Sequence, residues 1–338
     1  MAPRDKSVRT MLFKNWTILQ RLHFSPMNES ASKKESSPQR ENKLSYALLE
    51  LGQCVNNAVE GDGLFNLFDG VWACRSSKPT EPSHANYMPM VCVIAQGKKQ
   101  LLIGDERYIY DSEHFFLNSL SLPAAGQVIE ANELTPCLWV MIELDPTLVT
   151  SVIIEAGFSK SVPSTPLRAM ESSPIDRPLL ESVVRLARLF ESPQDAPFLA
   201  PLAVREIIYR LLCGSQAARL HQIAAHGGQA HRVWSAIDWL RENFDKPLSI
   251  EKLARQSGMS VSALHHHFKD VTAMSPLQFQ KQLRLQEAKR LMLSQGMDAA
   301  NAGFIVGYDD ASYFSREYKR FFGFPPRQHT KRLRSEVA

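Results

Sequence analysis

What the chain lacks narrows the field first. None of its 338 residues belongs to a run of 18 or more uncharged apolar side chains, the length a membrane-spanning helix needs, and Met1 to Arg9 lack the apolar core of a secretory signal. The reading is a cytoplasmic protein with no membrane partner. Cysteine is scarce: Cys54, Cys74, Cys92, Cys137 and Cys213 form an odd, scattered set without C-x-x-C spacing, which argues against a disulfide framework and against a zinc site. Reduced, mostly buried thiols are expected. No pairing of a nucleophile with a base stands out, so no catalytic residue and no cofactor is expected.

What is present is ample apolar content, 44% of residues, in a chain too long for one compact domain by the usual size prior. The net charge of +4 conceals an asymmetry. Residues 1–43 hold 9 Lys/Arg against 4 Asp/Glu, residues 44–230 hold 13 against 20, and residues 231–338 hold 17 against 11, so the C-terminal third carries a net +6. Positive charge confined to one domain is the electrostatic footprint of nucleic-acid binding, although a solvated basic face gives the same count.

Residues 26–43 contain almost no apolar side chains and are read as disordered, in an extension (1–43) for which Met27 is an alternative start. A helical apolar pattern from Leu44 to Val59 gives way to short β-type runs at Leu64–Arg75, Met90–Ala95, Gln100–Ile103, Glu106–Tyr110, His114–Asn118, Gly126–Ala131 and Cys137–Glu143. Runs at this spacing indicate a β-sandwich or small barrel. Helical periodicity returns at about Pro146–Ala156, Ile175–Glu191 and Pro197–Ala225, with the Ser/Pro-rich stretch Lys160–Pro178 read as a connection. The stripe Leu179, Val183, Leu186, Leu189 and Phe190 packs either internally or across a dimer. The paired glycines of His226–Gln229 mark a linker at 226–230 between a sensor domain (44–225) and a C-terminal domain (231–332).

Beyond the linker, His231–Phe244 is amphipathic, and Ser249 caps a short helix that reaches a turn at Ser257-Gly258. A second helix from Ser260 places Leu264, Phe268 and Val271 inward. This is the helix-turn-helix pattern. It recurs: Gly258, Met259, Leu264, Phe268, Lys269 and Pro276 correspond to Gly307, Tyr308, Phe314, Tyr318, Lys319 and Pro326. Between the copies Ser275-Pro276 starts a helix reaching about Ser294-Gln295-Gly296, a spacer of roughly 28 Å, against the roughly 34 Å at which major grooves recur on one face of B-DNA.

The segments MSVSALHHHFKDVTAMSP and VGYDDASYFSREYKRFFGFPP resemble the C-terminal domain of the AraC/XylS family of transcription regulators. The resemblance covers 231–332 and implies an all-α domain of seven helices, with recognition helices at about Ser260–Val271 and Ala311–Phe321. Its base-facing positions fall on Ser262, His265 and His266 in the first unit and on Ser312, Tyr313 and Arg316 in the second. Arg316 is the strongest base-contact candidate, because a guanidinium bonds bidentately to guanine. Lys269, Lys319, Arg320, Arg327 and Lys331 are read as phosphate contacts. His266, where an arginine is usual, lies in a His265-His266-His267 triplet. Successive helical residues point about 100° apart, so the triplet is not expected to converge on a metal ion. Ala299, Ala302 and Gly303 stand where larger residues are common, and a second unit loosened by about 1 kcal/mol is expected.

The segments PTEPSHANYMPMVCVIAQGKKQLLIGDERYIYD and SLPAAGQV are similar to the sensor domain that precedes such units in one subgroup of the family. They imply an α+β multidomain chain whose cupin-like barrel, over roughly 60–150, is supported by the helices to 225. His84 and His114 stand alone, so a metal-free barrel is inferred, with His84 in a loop and Trp72, Tyr87, Tyr108 and Tyr110 lining its core or a pocket. The chain is thus expected to be a transcription regulator, no enzyme, that binds double-stranded promoter DNA and a small-molecule effector and forms a homodimer, with RNA polymerase as a further candidate partner. A metal-free cupin-type enzyme and a non-specific DNA-binding protein are the alternatives. Cys74, Cys92 and Cys137 lie in or beside strands, where inert buried thiols are the first expectation and an electrophile or redox sensor the second, which needs an accessible thiolate.

Overall fold

The computed structural model describes residues 37–158, 167–224 and 229–337, and in it a helix leads into a run of nine strands, with all but one of the later elements helical. Helix α1 (Ser37–Ala58) leads into β1 (Gly63–Phe68), β2 (Val71–Ser76), β3 (Ser83–Tyr87), β4 (Met90–Gln96), β5 (Lys98–Ile103), β6 (Glu106–Asp111), β7 (His114–Asn118), β8 (Leu122–Glu130) and β9 (Cys137–Glu143). After α2 (Pro146–Glu155) a last strand, β10 (Met170–Pro174), is followed by α3 (Arg177–Arg188), α4 (Ala196–Cys213) and α5 (Ala217–Ala224). The strands form a six-stranded sheet in the order β1-β2-β9-β4-β7-β10 and a four-stranded sheet in the order β3-β8-β5-β6.

Two-residue periodicity sorts the six-stranded sheet into two cores. Val71, Ala73, Val91, Val93, Val140 and Ile142 face the helices, where they join Leu51, Val55, Val149, Leu180, Val183 and Ile207. Their neighbours Cys74, Cys92, Ile94, Cys137 and Trp139 face the second sheet, meeting Leu101, Ile103, Tyr110 and Val128. The β-rich fold with supporting helices is therefore as the sequence suggested, with Tyr110 in the core between the sheets and Trp72, Tyr87 and Tyr108 packed partly buried against it.

Several details differ from expectation. The run Leu64–Arg75 is two strands, because Gly70 turns the chain at φ +71° into a hairpin whose first pair is Phe68 and Val71. β3 is paired residue for residue with β8 from Ser83 to Tyr87, so His84 is a strand residue and not a loop one. β10 lies inside the stretch read as a connection; its polar sequence, MESSP, carries no strand signature, and it is stabilised by five paired positions on β7. The helix expected at Pro197–Ala225 is interrupted at Gly214, Ser215 and Gln216. The stripe on α3 turns inward: Leu179, Val183 and Leu186 are fully buried, which rules them out as a dimer surface. Helix α1 begins at Ser37, within the stretch read as disordered, because a helix already anchored by buried residues extends at low cost. The rest of that stretch with the alternative start at Met27, and the linker glycines Gly227 and Gly228, lie outside the described residues.

Candidate nucleic-acid interface

Seven helices occupy the C-terminal region: α6 (Gln229–Glu242), α7 (Ile250–Gln256), α8 (Val261–Thr272), α9 (Pro276–Ser294), α10 (Ala299–Ile305), α11 (Ala311–Phe322) and α12 (Pro326–Val337). The starts of α7 to α11 are written in the sequence as side-chain caps. Ser249, Ser260, Asp298 and Asp310 accept hydrogen bonds from first-turn backbone N–H groups, and Ser275 forms a reciprocal capping box with Gln278. The turns between α7 and α8 and between α10 and α11 pass through Gly258 (φ +64°) and Gly307 (φ +89°). Helix α9 spans the 19 residues expected of the rod between the units.

The two recognition helices bury one stripe each and expose the other. On α8, Leu264, Phe268 and Val271 are buried, while Ser262, His265 and His266 are exposed. On α11, Phe314 and Tyr318 are fully buried, while Ser312, Tyr313 and Arg316 are exposed. The offset of 50 that aligns the cores also aligns Ser262 with Ser312 and His266 with Arg316. Arg316 has no hydrogen-bond or ion-pair partner among the described residues, nor do the side chains of Lys269, Lys319 and Lys331. These donors are therefore free to meet an external anion. Backbone N–H bonds, led by that from Asn301, hold the Asp298 carboxyl below its ordinary pKa, and the attraction of nearby Arg327 adds to them.

Arg320 behaves differently from the other expected phosphate contacts. Its guanidinium is tied 2.8 Å from Glu317, whose carboxylate is buried and also contacts Lys281 of α9. A buried carboxylate between two cations stabilises this arrangement only while both remain, so Arg320 is held by the protein before any phosphate arrives.

One residue outside the expected set fixes the two units together. Arg284 of α9 donates to the carbonyls of Phe244 (2.6 Å), Asp245 (3.1 Å) and Lys246 (2.9 Å) after α6, and to Gly307 (2.7 Å) at the second turn. Gln280 adds bonds to Phe244 and Lys246. The approach is close enough that a methyl group on Gly307 would lie 2.0 Å from the Asp245 carbonyl oxygen, so this turn tolerates only glycine. An arginine in the middle of a helix gives no sequence sign of such a role; the repeat of the turn glycine was the one available hint.

The β-domain touches both recognition helices near their C-terminal ends. At the first, Arg168 donates to the Lys269 carbonyl (2.5 Å), Ala169 N–H donates to Val271 (3.0 Å), and the β5–β6 turn comes so near that a methyl group on Gly104 would sit 2.5 Å from the Ala273 oxygen. At the second, the His84 ring packs on Phe321 and Phe322, with ring centroids 4.3 and 5.2 Å away. Lys289 and Gln286 of α9 donate to the His84 and Ala85 carbonyls. Burial, with Lys289 and His329 close by, drives the His84 imidazole down to about 4.

Inside the β-domain, Lys99 is the one polar side chain among apolar neighbours on its strand face. It is 8% exposed, and its ammonium lies 3.8 Å from the centre of the Trp139 ring, whose buried Nε1–H has no hydrogen-bond partner. Cys74, Cys92 and Cys137 are buried beside it, and burial pushes all three thiols up, Cys137 to about 12. Thiols held protonated in this way are poor nucleophiles, which goes against the sensor alternative.

Comparison with known proteins agrees with both halves. Residues 68–219 match the family described as AraC-type transcriptional regulator N-terminus, and residues 253–332 match a helix-turn-helix domain family. The chain belongs to the AraC family. It is 28% identical over 155 residues to the HTH-type transcriptional activator RhaS of Escherichia fergusonii, covering 46% of this chain and 55% of RhaS, so the match spans about half the length of that relative. With the thermoregulatory protein LcrF of Yersinia pestis it shares 26% over 219 residues, 62% of this chain and 79% of LcrF. Among solved structures, ToxT from Vibrio cholerae O395 superposes with a TM-score of 0.50 at 9% identity, over 78% of this chain and 98% of ToxT. ToxT solved with a bound unsaturated fatty acid gives 0.50 at 8% identity, over 77% of this chain and 93% of that one. At such identities the likeness concerns the fold. No helix among the described residues is long and apolar enough to cross a membrane.

Proposed function

We propose that the chain is a sequence-specific DNA-binding transcription regulator, with no enzymatic activity, that acts on promoter DNA in the cytoplasm. The observation that carries this reading is the pair of recognition helices, each with a buried stripe and an exposed stripe of base-reading side chains, clamped into one arrangement by Arg284. Ser262, His265 and His266 read bases in the first unit, and Ser312, Tyr313 and Arg316 in the second; Lys269, Lys319, Arg327 and Lys331 meet phosphates, joined by Arg320 through the donors Glu317 leaves free. A non-specific binder needs the charge but not this polar, Arg-bearing stripe. The test is a gel shift on a duplex selected from random sequence by the protein itself. Unlabelled random DNA should compete at least about 100-fold less well than the selected duplex. Equal competition would refute sequence reading.

We propose that the effector binds between the two sheets, beside Lys99. A buried ammonium and an orphaned indole N–H suit a ligand with an apolar body and an anionic or acceptor head. ToxT, solved with an unsaturated fatty acid, makes fatty acids the first panel to try. A thermal shift with that panel should be seen in the wild type and lost in Lys99→Met. The homodimer is proposed through α4, where Phe198 (76% exposed), Leu202 (53%) and Tyr209 (41%) leave apolar surface uncovered and a second copy would cover it. Light scattering should give a dimer mass that falls to a monomer in Phe198→Glu/Leu202→Glu.

A further inference from the structure

Two members of the histidine triplet do come together with a carboxylate from one turn further along α8. Asp270 lies four residues after His266 and three after His267, the two spacings that bring helical side chains together. His266 Nε2 is 3.3 Å from Asp270 Oδ2, and one donor atom from each of His266, His267 and Asp270 falls within 4.8 Å of the other two. Ligand bonds of about 2.0–2.2 Å in a tetrahedral shell set donors roughly 3.3 Å apart, so the His266–Asp270 edge already has the right length. The separations to His267 are also within 4.8 Å, and rotation of its side chain is the movement that would close them. Its Nδ1 is shielded from water and has no hydrogen-bond partner, a state that coordination would relieve. His265, on the other side of the helix, is not part of the group.

The duplicated fold supplies its own comparison. At the equivalent positions of α11, Arg316, Glu317 and Arg320, the carboxylate is neutralised by Arg320 and by Lys281. On α8 the carboxylate is Asp270, and no Lys or Arg pairs with it among the described residues. The second unit carries its cation in its sequence; the first has two imidazoles and a carboxylate arranged to take one from solution.

We propose that His266, His267 and Asp270 form a binding site for a divalent transition-metal ion on the outer face of the first recognition helix. Two imidazoles and a carboxylate suit zinc, cobalt or nickel rather than magnesium or calcium, and leave the remaining coordination position to water. Occupation withdraws His266 from base contact and converts an anionic spot into a cationic one. That consequence rests on the reading of α8 as a DNA-facing helix; the metal site itself does not.

The test is a cobalt(II) titration of the untagged full-length protein without DNA, followed by its visible spectrum and by displacement with zinc. One ion per chain with the intense bands of a four-coordinate site is expected. Affinity should fall at least tenfold in each of His266→Ala, His267→Ala and Asp270→Asn, and remain unchanged in His114→Ala, which removes an i,i+3 His–Asp pair lacking a second histidine. Absence of the bands at 1:1 loading, or binding indifferent to His266 and Asp270, overturns the site. With the metal bound, the preference for a duplex selected on metal-free protein over random DNA should drop several-fold. An unchanged preference would overturn the effect on DNA reading while the titration stands.

Discussion

Gly303 offers a sharp test of how the second unit is packed. A glycine within a short helix costs about 1 kcal/mol relative to alanine, and on that ground Gly303→Ala should stabilise the protein. The structure predicts the opposite. A methyl group built on Gly303 would lie 2.9, 3.0 and 3.3 Å from Cγ, Cδ1 and Cβ of Phe314, too close for carbon atoms and too near the backbone for a side-chain rotation to relieve. Phe314 has no room to retreat, being fully buried between Tyr308 and Tyr318, with ring centroids 5.2 and 5.6 Å away. Overpacking of this kind costs about 1–3 kcal/mol, so after the propensity gain Gly303→Ala should be net destabilising by about 1 kcal/mol. Urea denaturation followed by far-ultraviolet circular dichroism, with hydrogen exchange of the α10 and α11 amides, reports both the size and the place of the loss. Gly303→Ala/Phe314→Leu should recover most of it, because the smaller branched side chain vacates the contested space. If Gly303→Ala alone is as stable as the wild type, the close approach is not a constraint and the packing argument fails.

Arg284→Ala should lower DNA affinity at least tenfold without touching a recognition side chain, since the Asp245 and Gly307 carbonyls lose this donor, those of Phe244 and Lys246 keep only Gln280, and the two units lose their fixed relation; a selected-duplex titration checks it, and unchanged affinity would show that the clamp is idle. Arg316→Ala should cost about 1–3 kcal/mol on the selected duplex and relax preference at one base pair, measured by binding to single-base variants. Lys319→Ala should weaken selected and random DNA alike and reduce the salt slope by about one, measured by titration at several salt concentrations. The His84 contact should weaken with acid: its folded value of about 4 lies below its ordinary 6.5, so the neutral ring is the one that fits between Lys289, His329, Phe321 and Phe322, and the stability it lends is lost as pH falls from about 6.5 toward 4. Hydrogen exchange of β3 and of the α11 C-terminus at pH 7 and 5 should show the acid opening, and His84→Phe should remove its pH dependence.

The parts of this molecule that were legible in its sequence are those governed by local chemistry. Ser249, Ser260 and Ser275 announce helix starts because a cap bonds within its own first turn. Leu264, Phe268, Phe314 and Tyr318 announce the inner stripes because helical period alone selects the buried face. What was not legible depends on residues distant in sequence. The polar strand β10 exists through its ladder on β7, and Arg284 and Glu317 gained their roles from carbonyls and cations on other helices. Arg320, whose basic side chain suggested phosphate, is occupied by an acid three residues away that sequence alone would place on the solvent face. Gly303 was read as a weakness because helix propensity is a single-residue property, whereas its function is to make room for one ring on a neighbouring helix.

The contacts of the β-domain bear on how an effector could change DNA reading. Arg168, Ala169 and Gly104 meet the carbonyls that end α8, whereas His84 and Ala85 meet the end of α11 and the middle of α9. Two anchor sets on one β-domain therefore hold two recognition helices, and Arg284 separately ties the helical units to each other. A rearrangement between the sheets has a short path to both anchors: β3 carries His84, while Lys99 and Gly104 lie at the start and just beyond the end of β5, which shares β8 with β3. Because only a difference in affinity between two arrangements can shift an equilibrium, the proposed ligand must favour one set of these contacts over the other. The Arg284 clamp then decides the form of the response, since units fixed to each other move relative to the β-domain together. A double-mutant cycle between Arg168→Ala and His84→Ala, read as effector-dependent DNA affinity, tests this: coupled anchors give a combined effect well short of the sum, and strict additivity would show that each helix is released on its own.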